Sequence, residues 1–173
     1  MDRDQAAEAI ATTDAAERDD RAARLVELGQ LLADETVGFS GQAASWLFDD
    51  VKATWIYGYF TATVLAAQAF CMRQLSGLVL MLPDEPELPD SVDSLEALAA
   101  ICHERGLVDV ELLANLVSLN DAAAAYTTVG LHEQDLRLER HLAEAQFLGG
   151  DDHPLLTDAR SALRCSIALV HRT

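Results

Sequence analysis

Lysine is almost absent from this chain. Lys52 is the only one in 173 residues, and eleven arginines supply the rest of the positive charge against 29 carboxylates. The formal charge of −17 opposes nonspecific binding to nucleic acid or to an anionic membrane surface, since both need positive charge on the protein. It leaves room for a small local arginine site. Aspartate outnumbers glutamate, 17 to 12, and an acidic, lysine-poor composition of this kind fits either a salt-loving organism or a GC-rich genome. Cysteine is scarce too. Cys71, Cys102 and Cys165 are odd in number and far apart, so they form neither a disulfide ladder nor a CxxC metal pair. Cys71 and Cys165 lie in apolar runs, where a free thiol behaves as a small hydrophobe. The expected compartment is a reducing cytoplasm. Strand signals are nearly missing: no period-two alternation persists, and there is no Asn-Gly or Asp-Gly hairpin turn.

Familiar catalytic patterns are missing as well. The chain has no GxGxxG or GxxxxGK[ST] phosphate loop and no GxSxG nucleophile elbow. His132-Glu133 opens like HExxH, but Leu136 stands where the second histidine must be, so that helical face cannot hold zinc. The paired ExxH motifs of a di-iron bundle do not occur. Asp151-Asp152-His153 reads as a turn before a final helix rather than a cation site. Asp49 and Asp50 are adjacent, so on a helix they point about 100° apart, which suits solvation or capping better than acid–base catalysis. No cofactor and no metal are expected.

What the sequence does contain is a twenty-residue run with no formal charge, Ala53 to Met72, reading ATWIYGYFTATVLAAQAFCM. A helix this long and apolar is a membrane span, a buried central helix or a subunit interface. Thr54, Thr61, Thr63 and Gln68 lie inside it, Lys52 and Arg73 flank it evenly, and no basic cluster sets a topology. The reading adopted is burial among other helices. The acidic start, MDRDQAAEAIATTDAAERDD, lacks the apolar stretch of a secretory signal.

The helical reading extends throughout. Residues 1–35 predict an acidic N-terminal helix, partly frayed, with Ala22, Leu25, Val26, Leu28, Leu31 and Leu32 as its apolar stripe. Residues 36–173 predict one helical bundle domain. A second helix starts near Gln42, with a kink or new start at Asp49-Asp50, and the main helix then runs to about Leu82. Within it Gly58, Ala62 and Ala66 recur every four residues, a small-residue edge that suits tight core packing or a dimer seam. Pro83, Pro86 and Pro89 end the helix in an acidic connector. Ser94 or Asp93, Asp109 and Thr157 are the caps expected for three further helices. Gly106 stops the first of these. Residues 132–147 predict a charged helix, and Gly149 to Asp152 a turn.

The segments WLFDDVKATWIYGYFTATVLAAQAFCMRQLSGL, LEALAAICHERGLVDVELLANLVSLNDAAAA and LTDARSALRCSIALVHR together resemble the central, middle and closing helices of HEPN-like domains (higher eukaryotes and prokaryotes nucleotide-binding), over roughly residues 42–172. The resemblance implies an all-α bundle. In active members an Arg followed after four to six residues by His supports metal-independent RNA cleavage, with Arg holding the phosphate and His assisting proton transfer. At the corresponding place this chain reads Leu119-Asn120-Asp121-Ala122-Ala123-Ala124-Ala125-Tyr126, with Leu or Asn for the Arg and alanine for the His. The resemblance therefore implies a degenerate site.

The expected function is a non-catalytic HEPN-like interaction module with a protein partner or as a homodimer, in the defence or toxin–antitoxin setting that the resemblance implies. Its candidate interface residues are Gly58, Ala62, Ala66, Trp46, Trp55 and Tyr59. The wider Trp46/Trp55/Tyr57/Tyr59/Phe60 region is read as core plus partner surface. The rival is a metal-independent RNase using Arg164 and His171, whose separation fits the motif, or the Arg137/His141 cluster. That cluster includes Arg140 and sits among Glu133, Asp135, Glu139 and Glu144, where helix-surface salt bridges also account for it. A third reading is a small-molecule sensor with a pocket beside the central helix.

Overall fold

The computed structural model describes residues 2–32, 37–83, 94–127 and 154–171. These form six helices: α1 (Arg3–Leu32), α2 (Gln42–Ile56), α3 (Phe60–Leu80), α4 (Leu95–Glu104), α5 (Val110–Thr127) and α6 (Pro154–Val170), with no strand among the described residues. The fold is an all-α helical bundle. The charged segment 132–147 and the turn at 149–152 lie outside the described residues, as does most of the proline-rich connector.

The axis of the bundle is α3, which packs against α2, α4, α5 and α6. Its buried positions are Thr63, Val64, Ala67, Phe70, Cys71, Gln74, Leu75 and Val79, a three-and-four spacing that keeps one face inward. This helix is long and apolar enough to cross a membrane. Here that apolar length is in contact with four other helices, and it meets α2 through Phe48–Phe70, ring centroids 5.2 Å apart, and Trp55–Phe60 at 5.8 Å.

The uncharged run does not make one helix. It divides at Gly58, whose φ of 75° is left-handed and suits glycine. Gly58 N–H donates to Trp55 O at 3.1 Å and Tyr59 N–H to Thr54 O at 2.9 Å. Together they form the paired bonds of a Schellman C-cap. The expected helix from Asp49 to Leu82 is thus a pair of antiparallel helices, α2 and α3, and α2 continues unbroken through Asp49 and Asp50. Lys52 sits on α2, paired with Asp49 at 2.6 Å and over the Phe48 ring at 5.2 Å.

The same cap closes α4. Gly106, φ 73°, donates to His103 O at 2.9 Å while Leu107 N–H reaches Cys102 O at 2.9 Å. Ser94 Oγ accepts from Ala97 N–H at 3.1 Å, and Asp109 Oδ1 from Leu112 N–H at 2.8 Å, so both act as the N-caps their spacing predicts. Thr157 does not cap. The last helix starts earlier, at Pro154, because a proline's fixed φ and missing N–H fit a first helical turn.

Segment 37–40 crosses the far end of α3 as a strap. The buried Gln74 side chain accepts from Ser40 N–H at 2.9 Å and donates to Gly38 O at 3.1 Å, and Gly38 N–H donates to Val170 O at 2.8 Å. One buried carboxamide thereby satisfies its own polar atoms on two half-buried strap backbone groups; left unmet, a buried polar group costs about 1–3 kcal/mol. α5 is fixed on α6 by Tyr126 Oη donating to Asp158 Oδ2 at 2.8 Å.

Candidate functional site

α1 meets the bundle through a face that is largely polar. Arg21, Arg24, Glu27, Leu28 and Leu31 recur at three- and four-residue steps, and Leu28 is buried while Leu25 and Val26 are 55% and 60% exposed. Of the expected apolar stripe, Leu28, Leu31 and Leu32 pack on the core, while Leu25 and Val26 do not. Leu25 and Val26 face outward because at their level of α1 it is Arg21 and Arg24 that meet the surface beneath.

That surface is the end of α2 and the turn after it. Arg24 Nε donates to Ile56 O at 3.0 Å, occupying a carbonyl that the helix end leaves open and placing a cation at the negative end of the α2 dipole. Its guanidinium lies over the Phe60 ring at 5.7 Å and against Gly58. Burial lowers the Arg24 pKa, opposed by the nearby carboxylates of Asp20 and Glu17. The indole N–H of Trp55 donates back to Arg24 O at 3.3 Å. Across the junction Arg160 of α6 pairs with Glu27 at 2.8 Å and lies over Trp55 at 5.8 Å. Two arginines from different helices thus clamp one turn.

Beyond this clamp the N-terminal half of α1 continues past the turn and is mostly exposed. A groove of about 340 Å³ opens between the two, lined by Ala9, Ile10, Thr13, Asp14, Glu17, Arg21, Tyr57 and Tyr59. Tyr57 and Tyr59 stack at 6.2 Å with their planes 17° apart. Both are exposed, 51% and 63%. Arg21 lies over the Tyr57 ring at 5.6 Å and holds Asp14 through a 3.0 Å carboxylate contact and a 2.8 Å bond to its backbone carbonyl. The groove offers aromatic faces and carboxylates together, a chemistry suited to cations.

The sequence-derived residues fall in separate places. Trp55 is fully buried and belongs to the core rather than to a partner surface. Trp46 is 61% exposed, on the first part of α2. Gly58 lies in the turn against Arg24, so the four-residue edge through Ala62 and Ala66 is broken at its first member. Ala62 is exposed and Ala66 half-buried on α3. Arg164 is exposed on α6 and His171 half-buried just past its end, about 10 Å apart along the axis by helical rise. Arg137 and His141 lie outside the described residues. Where the HEPN-like resemblance puts its catalytic pair, Leu119 and Ala123 are buried, and Asn120 Oδ1 accepts from Gln68 Nε2 at 3.4 Å.

Two buried thiols, Cys71 and Cys165, face each other between α3 and α6, and burial pushes Cys71 well above the ordinary thiol range. Among the described residues no group of three or more His, Cys, Asp or Glu is placed to hold a metal ion. Arg21, Arg24, Asp14 and Glu17, together with the Glu27–Arg160 pair, are groove and clamp residues that reading the sequence missed. The signal for Arg21 and Arg24 was their three-residue spacing in register with Leu28 and Leu31. No family model matches the chain, and no curated protein or solved structure matches it significantly.

Proposed function

We propose that this chain is a non-catalytic interaction module of HEPN-like helical type, acting through a protein partner in a defence or toxin–antitoxin setting. The observation that carries the reading is the exposed Tyr57–Tyr59 stack facing the uncovered half of α1: a formed groove on a bundle end. Exposed aromatic rings beside a helix that continues past its own core are the anatomy of a recognition surface. The α5 positions that the resemblance aligns with the catalytic Arg and His support it further. They carry core aliphatics and a hydrogen-bonded amide, none of which transfers a proton at neutral pH.

The test is incubation of the purified full chain with a mixed RNA pool. The RNA is expected to remain intact, and Arg164→Ala and His171→Ala to behave as the parent does. Cleavage by clean protein that either substitution abolishes would transfer the assignment to the nuclease class.

A further inference from the structure

The groove states which partner chemistry it fits. Residues 2–20 carry seven carboxylates against Arg3 and Arg18, so a second copy laid along this half of α1 meets a like-charged surface. Nucleic acid and anionic lipid meet the same obstacle. An occupant of opposite charge does not.

The molecule supplies its own example of what such a groove holds. Arg21 lies over Tyr57 and pairs with Asp14, a guanidinium held between an aromatic face and a carboxylate. Tyr59 repeats the aromatic half of this arrangement, parallel to Tyr57 and more exposed. Glu17, one helical turn after Asp14, repeats the acidic half. It lines the same groove and, although its charge acts on Arg24, makes no ion pair within 4 Å among the described residues. Tyr59 and Glu17 thus line the groove beside the Arg21 pair, with no guanidinium of this chain over the Tyr59 ring and none in a close ion pair with Glu17 among the described residues.

We propose that the groove seats an arginine-bearing, net basic segment of a partner protein, with one guanidinium on the Tyr59 ring and directed to Glu17. Ile10 and Ala9 take the aliphatic stem of the same side chain. This proposal rests on the interaction-module reading and adds to it the place and the partner's charge.

The experiment uses the full chain and a short fluorescein-labelled Arg-Ala repeat peptide, followed by anisotropy at about 150 mM salt, where a Debye length of about 8 Å suppresses long-range attraction. Binding is expected, and Tyr59→Ala and Glu17→Arg are each expected to weaken it roughly tenfold. Asp121→Arg makes the same charge change on the exposed side of α5 and is expected to leave affinity within about twofold. Equal weakening by Glu17→Arg and Asp121→Arg would mean diffuse charge attraction and would overturn the proposal. So would absence of binding. A dimer by light scattering that Tyr59→Ala dissociates would assign the groove to a second copy instead. None of these outcomes bears on RNA cleavage, which decides the broader reading separately.

Discussion

At Gly58 a side chain meets two obstacles. A φ of 75° costs an L-residue about 1–2 kcal/mol, and a Cβ there would stand 3.2 Å from Arg24 Nη2. Gly58→Ala is therefore expected to lower stability by about 1–2 kcal/mol in urea unfolding, an unchanged midpoint being the contrary result. This residue also shows what the sequence concealed. Gly106 follows charged residues at the end of a short amphipathic helix, and its stop signal is plain. Gly58 has tyrosines on both sides and apolar residues beyond them, so it reads equally well as a small residue on a continuous helix. Only the polar–apolar contrast that usually marks a helix end was missing; the backbone requirement was the same. The aromatic half of the candidate site was legible at Tyr57 and Tyr59. Its acidic half was not, since Asp14 and Glu17 lie 40–45 residues before the two tyrosines in sequence.

Among the elements, α1 is the one whose attachment differs along its length. By helical rise it is about 45 Å long. Its C-terminal part is held by the Arg24 and Arg160 clamp, whereas its N-terminal half contributes the groove wall. Amide exchange is expected to divide at about Arg21, fast before it and protected after it. Arg24→Met keeps the aliphatic stem but removes the bond to Ile56 O, so it is expected to raise exchange in residues 21–32 while α3 and α6 stay protected. Uniform change across all three helices would contradict a separately docked α1. The existence of the helices and the caps at Ser94 and Asp109 could be read directly, because each cap satisfies local backbone N–H groups. The register of α1 could not. Hydrophobic periodicity chooses Leu28, Leu31 and Leu32, which pack on the core, but also Leu25 and Val26, where the surface beneath α1 consists of a carbonyl, aromatic rings and an arginine from α6, which select polar partners. The division of the uncharged run into α2 and α3 is the same lesson in an apolar setting: composition marked neither the chain reversal nor the exposure of Tyr57 and Tyr59 beside it.

For the molecule as a whole, burial places several proton-releasing groups where their charged forms are disfavoured. Cys102 is raised by desolvation from an ordinary 9.0 to about 11. Tyr126 is raised above its ordinary 10.0 by burial and then by its bond to Asp158. A group that holds its proton more tightly when folded stabilises the fold below its unfolded pKa and loses that contribution as pH rises toward the folded value. Stability is thus expected to fall from about pH 9 upward, with Cys102 first and Tyr126 above pH 10. Thermal melts across this range check it, and Tyr126→Phe is expected to flatten the upper part of the decline. A melting temperature constant from pH 8 to 11 would contradict it. The net charge of −17 adds self-repulsion that grows as further groups ionise. The two tryptophans divide this molecule in a useful way. Trp55 is sealed beneath the α1 backbone, and Trp46 stands in solvent. The intrinsic emission of the protein therefore contains a blue component that reddens when the first helix lifts and a red one that stays put, so departure of that helix has an optical signature separate from melting of the remaining bundle.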